Sequence, residues 1–131
     1  FTNQGHMRGS KASLKVGEFS NEGTIRVKAG EESPEGMRPS LTITAQNGRN
    51  SGVLRAIDTI DLQFAKQLEN SGNVISEEEI NITGKGAIHQ RGVLQSQGNI
   101  SLSGASLENS HLISAGRAII ANLREDLTNT G

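Results

Sequence analysis

Apolar side chains in this chain alternate with polar ones in short bursts, and the bursts recur about every 20 residues. Counting from Gly52, Gly72, Gly92 and His111, the residue two places on is Leu54, Val74, Leu94 or Ile113, apolar each time. Eight and ten places on stand Ile60 with Leu62, Ile80 with Ile82, Ile100 with Leu102, and Ile119 with Ala121. The residues between these pairs are Asp61, Asn81, Ser101 and Ile120, polar in three cases of four. A period of two, apolar inward and polar outward, predicts strands buried on one face. The earlier part of the chain follows more loosely, through Leu14 with Val16 and Leu41 with Ile43.

Two stretches also fit a helical stripe: 53–68, where Val53, Ile57, Ile60, Phe64 and Leu68 line up, and 112–123. Their counterparts at 73–83 and 93–103 are dense in Asn, Ser, Gly and Thr, which a helix tolerates poorly. Equivalent repeats share one conformation, so strand is expected throughout.

Between the bursts lies a short polar motif. Leu-Glu-Asn-Ser-Gly at 68–72 and Leu-Glu-Asn-Ser-His at 107–111 match the segments beginning at Phe1, Phe19 and Leu127, and more weakly those beginning at Gly48 and Ile88. The motif starts are spaced by 18, 29, 20, 20, 19 and 20 residues. The long interval carries a polar, proline-bearing run, read as a loop inserted at about 28–40. A unit of about 20 residues with short strands cannot bury its apolar face alone and must stack on copies of itself. The expected architecture is therefore a single all-β solenoid segment over 1–131. At about 4.8 Å per coil, its coils make a rod of about 30 Å. The run from Gly5 to Ser10 resembles a vector remnant but falls inside the first repeat, and is read as part of it.

Stacking would place Asn3, Asn21, Asn50, Asn70, Asn109 and Asn129 in one column, with Gln90 the exception. An amide both donates and accepts, so such a column is expected to form a hydrogen-bonded ladder at a turn. The glycines that close the motif are expected to allow positive φ there.

Composition narrows the remaining choices. Three Phe, no Trp and no Tyr leave the core to small aliphatics, and 13 basic against 14 acidic residues argue against disorder driven by charge. The absence of Cys excludes disulfides and thiolate-bound zinc. No apolar run approaches the roughly 20 residues of a membrane span, and near-neutral charge without interleaved aromatics argues against nucleic acid.

An apolar-x-Asn-x-Gly motif followed by an alternating strand, repeated every 20 residues, resembles the haemagglutinin repeats of large exoproteins. These occur in filamentous haemagglutinin adhesins and in toxin-delivery proteins of contact-dependent growth inhibition, and the likeness covers nearly the whole chain. It implies a right-handed parallel β-helix, secretion through a dedicated outer-membrane partner, and a place on the exterior of a Gram-negative cell. The insertion departs from the pattern, and nothing matches a secretion domain or a toxin, so an interior piece of a longer protein is expected. The function expected is a structural shaft without chemistry of its own, which presents binding or toxic domains to other cells. Two alternatives stand beside it: a direct adhesin for a cell-surface receptor or glycan, and a carbohydrate-active β-helix enzyme.

Candidate site residues are few. Asp58 and Glu78 share a column six places after the motif end, about one strand spacing apart and within reach of the ~5 Å used by retaining glycosidases. Gly98 and Arg117 continue that column and no aromatic residue is near to stack on a sugar, so two solvated turn carboxylates are the favoured reading. Glu77, Glu78 and Glu79 suit a hard cation by type, but consecutive strand residues face opposite ways. His6, His89 and His111 fall at different places in the repeat and form no metal-binding column. Gly84-Lys85-Gly86 lacks the rest of a phosphate loop. No cofactor or metal is expected. If a local feature meets a partner, the insertion leads, through Glu31, Glu32, Glu35, Met37 and Arg38.

Overall fold

The structure, a computed structural model, describes residues 1–28 and 39–131. Of the expected insertion only Lys28, Pro39 and Ser40 fall within it. Glu31, Glu32, Glu35, Met37 and Arg38 lie outside the described residues. Among the described residues the fold is all-β, and neighbouring strands pair in parallel from coil to coil as a β-solenoid. The two stretches that also fitted a helix are strands, at Val53–Ala56 and Ile60–Asn70, and at Leu112–Ala115 and Ile119–Leu123.

Each coil contributes to three stacks. The first is a six-stranded sheet running from His6–Gly9 through Thr24–Val27, Val53–Ala56, Asn73–Ser76 and Val93–Ser96 to Leu112–Ala115. The second holds the isoleucine pairs, for example Ile80–Gly84 and Ile100–Gly104, and the third carries the Asn motif, for example Ala87–Gln90 and Ser106–Asn109. Two long strands, Leu41–Asn50 and Ile60–Asn70, run through the corner between these two stacks and join them into one 11-stranded sheet. The pairing slips by one residue between Ala45 and Asn47, which relieves the bend. In the next coils the chain breaks at this corner instead, and Gly84-Lys85-Gly86 lies there.

The apolar columns follow the 20-residue register. Leu54, Val74, Leu94 and Ile113 pair in succession, as do Ile60, Ile80, Ile100 and Ile119. Ile60, Ile80 and Ile100 are fully buried, while Ile119, with no described coil beyond it, is 51% exposed. Burying an aliphatic side chain of this size contributes roughly 1.5–3 kcal/mol, so the stacked columns are the main source of cohesion. The first coil enters two residues out of the expected alignment. Ala12 pairs with Leu41 and Leu14 with Ile43, which leaves Val16 beyond the column. Its chain reaches the second stack sooner, because the first two motifs are only 18 residues apart.

The first position of the motif makes another inner column, through Phe19, Gly48, Leu68, Ile88 and Leu107. Gly48 leaves a gap in it, and Phe64 of the following coil fills that gap. A Cβ on Gly48 would lie 2.0 Å from the Phe64 ring, and Phe64 is only 4% exposed. Close packing thus trades a large side chain at one place for a small one at its neighbour.

Candidate functional site

The Asn motif closes the third stack, where the chain turns into the first stack of the next coil. In the first three coils each Asn Nδ2 donates to three acceptors. Asn50 Nδ2 donates to Asn70 Oδ1 at 2.8 Å, to the carbonyl of Gly52 in its own turn, and to the carbonyl of Asn73 in the next coil. Asn3 and Asn21 repeat the arrangement, with 2.8 Å bonds to Asn21 and Asn50. Asn70 donates to Gln90 Oε1 at 2.6 Å. Asn21, Asn50, Asn70 and Gln90 are buried, and no buried side-chain polar atom among the described residues lacks a partner. Satisfying them matters because an unpaired buried amide is costly.

The run of side-chain bonds pauses at one step. The longer Gln90 turns its amide onto the carbonyls of Gly92 and Leu112, and among the described residues no side-chain bond joins it to Asn109. Asn109 resumes by donating to Asn129 at 2.8 Å and accepts from the amide of His111, the one non-glycine at a motif end.

The motif glycines are needed for a different reason from the one expected. None has a positive φ. A Cβ on Gly52, Gly72 or Gly92 would fall 2.0, 2.1 or 2.0 Å from the carbonyl oxygen of the equivalent glycine in the coil before. Close approach of stacked turns, rather than left-handed backbone, excludes a side chain there.

A second inward polar column runs through Ser76 and Ser96. Ser76 and Ser96, buried and 20 residues apart, each accept a bond from the backbone amide two places on and donate to the turn of the preceding coil. Ser76 donates to the carbonyl of Asp58, and Ser96 to that of Glu78 at 2.6 Å. The shared spacing was visible in the sequence, but serine gave no sign of facing inward.

Asp58 and Glu78 occupy equivalent turns of successive coils, as their shared serine contacts require. Glu78 is exposed, and Asp58 accepts from the Thr59 hydroxyl at 2.9 Å. A shallow hollow lined by Ser40, Thr42, Asp58, Thr59 and Asp61 does not include Glu78. Glu77, Glu78 and Glu79 are exposed in one turn, and among the described residues no group of three or more His, Asp or Glu could hold a metal ion. His89 meets Glu108 at 3.3 Å on the outside of the third stack, next to the 3.4 Å pair of Arg91 with Glu69. Exposed pairs of this kind add little stability. His6 begins a strand of the first stack, and His111 sits at a motif end.

Among the described residues no helix is long and apolar enough to cross a membrane. No match was found among curated proteins or among solved structures. A family model described as the haemagglutinin repeat matches residues 2–131. With its repeat register and its parallel solenoid, the chain belongs to the haemagglutinin-repeat family.

Proposed function

We propose that this chain is a stretch of rigid shaft in a longer secreted surface protein, one that holds binding or toxic domains away from a Gram-negative cell. The observation that carries the reading is the coil-to-coil register from residue 53 to residue 103, in which strand pairing and aliphatic columns repeat every 20 residues along one axis. Such a structure gains length one strand spacing at a time. The family is one of structural, adhesin-type repeats and not an enzyme family. In this reading the parent protein leaves the cell through an outer-membrane secretion partner, and its other domains choose the target.

A second reading, direct adhesion to a receptor or glycan, would place contacts on the outer faces or on Glu31, Glu32, Glu35, Met37 and Arg38. The two separate in the parent protein. Removing residues 53–92 in frame, alone and together with Glu31→Ala, Glu32→Ala, Glu35→Ala, Met37→Ala and Arg38→Ala, deletes two coils and then the loop contacts as well, and should leave surface display and target-cell engagement intact. Immunogold labelling of intact cells checks the display. Lost engagement at unchanged surface abundance would instead favour direct adhesion, and label confined to the cell interior would contradict both. The enzymatic reading predicts release of reducing ends from acidic polysaccharides that disappears with Asp58→Asn or Glu78→Gln.

A further inference from the structure

The six asparagines of the motif column all stand in Asn-x-Gly or Asn-x-His, but two of the other five carry a different signature. Asn81-Ile82-Thr83 and Asn99-Ile100-Ser101 both read Asn-x-Ser/Thr, the acceptor pattern for N-linked sugar. A three-residue pattern is short, and its placement decides its use. In both, strand alternation turns the middle isoleucine inward, where Ile82 and Ile100 are buried, and leaves the asparagine and the hydroxyl residue on the outward face. Asn81 is half-buried, and among the described residues no hydrogen bond engages its side chain. Asn99 Oδ1 accepts from the backbone amide of Ala118 at 3.1 Å, while its Nδ2 donates to no described residue. Asn50 Nδ2 in the buried column, by contrast, is committed to three acceptors. The two sites are also neighbours. Ser101 is the register partner of Asn81, which puts Asn99 diagonally across one coil spacing, about 8 Å away. Short uncharged side chains surround them, among them Thr42, Thr44, Gln63 and Ser103, and Asp61 is the one charge on these outward columns from Thr42 to Ser103. A flat neutral face of this kind has little to keep other surfaces off it, and a bulky, solubilising sugar supplies that.

We propose that Asn81 and Asn99 are N-glycosylation acceptors, each taking a sugar from a donor that carries it on a diphosphate. In the transfer Nδ2 attacks the anomeric carbon, and the new carbon–nitrogen bond replaces the bond from that carbon to a diphosphate oxygen. The diphosphate leaves with the electron pair, and a base of the transferase takes one Nδ2 proton. The hydroxyl of Thr83 or Ser101, two places on and on the same face, is the group by which the transferase selects the asparagine. In the folded chain Ile80–Gly84 is paired on both sides, so the transfer precedes closure of the coils. The inference is independent of the shaft reading, since a shaft can carry sugar on one face or lack it.

The test is peptide mass mapping of the parent protein purified from its own cells, against the recombinant 131-residue chain made in a host without an N-glycosyltransferase. Peptides bearing Asn81 and Asn99 should carry sugar in the parent protein and none in the recombinant chain, and the peptide bearing the buried Asn70 should carry none in either. Asn81→Gln and Asn99→Gln should each remove the sugar from that site alone. Thr83→Ala should remove it from Asn81 although the asparagine remains, and Thr83→Ser should keep it. Because Thr83 is exposed, neither change disturbs the core, and unchanged surface abundance of the parent protein checks this. Increments of single hexoses would identify a nucleotide diphosphate donor, and one fixed oligosaccharide mass a lipid diphosphate donor; either supports the proposal. A bare Asn81 or Asn99 in the parent protein overturns the assignment of that site, and sugar retained on Asn81 at equal occupancy in Thr83→Ala overturns selection by the hydroxyl.

Discussion

Asn50 donates its side-chain amide to Asn70 Oδ1 at 2.8 Å, and each residue is 1% exposed. Two buried amides from sequence positions 20 apart are thus each other's environment. Removing Asn70 takes one acceptor from Asn50 Nδ2, which keeps two carbonyls, and takes from Gln90 Oε1 its side-chain donor. Asn70→Ala should therefore cost about 1–3 kcal/mol, the penalty of an orphaned buried acceptor. Asn70→Gln should cost less, because Gln90 already occupies the same column with its amide satisfied. Urea titrations of the two variants check the order.

Gly48 and Phe64 are expected to be coupled energetically. Gly48→Leu restores the usual motif residue but drives it into the Phe64 ring, an overpacking that costs about 1–3 kcal/mol. Phe64→Ala alone should cost about 3–5 kcal/mol through the cavity it leaves. The double variant should lose less than the sum, with a coupling of about 0.5–3 kcal/mol measured by a double-mutant cycle. Strict additivity would mean that the ring does not fill the gap left by Gly48.

The two kinds of glycine should respond oppositely to alanine. Gly72→Ala forces a Cβ to within 2.1 Å of the Gly52 carbonyl, so the coils must move apart there, at about 1–3 kcal/mol. Around Gly17 a Cβ would meet nothing within 4 Å, and Gly17→Ala should be neutral or stabilise by about 0.4–1 kcal/mol through the unfolded chain. Thermal melts of both variants decide the matter.

Much of this fold was legible because a solenoid uses one local rule many times. The columns through Leu54, Ile60 and Leu62 could be read from spacing alone, and the strand pairing keeps that register. Besides the inward Ser76 and Ser96, three features were not legible, each because it arises between coils and not within one. The two-residue offset of Ala12 and Leu14 depends on how quickly a short first coil reaches the second stack. Phe64 looks like a surplus aromatic until Gly48 of the previous coil is placed beneath it. Arg26 and Arg55 are register partners across the long 29-residue interval, which hides their equivalence in the linear sequence.

Stability along the axis should be graded, since each coil is held only by its neighbours. Ile119 and Leu127 are 51% and 59% exposed, whereas Ile60 and Ile80 are fully buried. In the 131-residue chain, backbone amides of Ile119–Leu123 and Leu127–Asn129 should exchange with solvent fastest, and those of Ile80–Gly84 slowest. Uniform protection from 60 to 129 would contradict coil-by-coil cohesion.

The most direct test of the central claim is cysteine cross-linking, which the cysteine-free chain permits without background. Asn81 and Ser101 are register partners on adjacent coils, whereas Asp61 and Ser101 are separated by the intervening strand. A disulfide needs Cα atoms within about 7 Å, which one strand spacing of about 4.8 Å allows and two do not. The Asn81→Cys, Ser101→Cys pair should close an intramolecular disulfide in the folded chain under mild oxidation, and the Asp61→Cys, Ser101→Cys pair should stay reduced. Failure of the first pair, or equal closure of both, would contradict the parallel solenoid and the reading of function that rests on it.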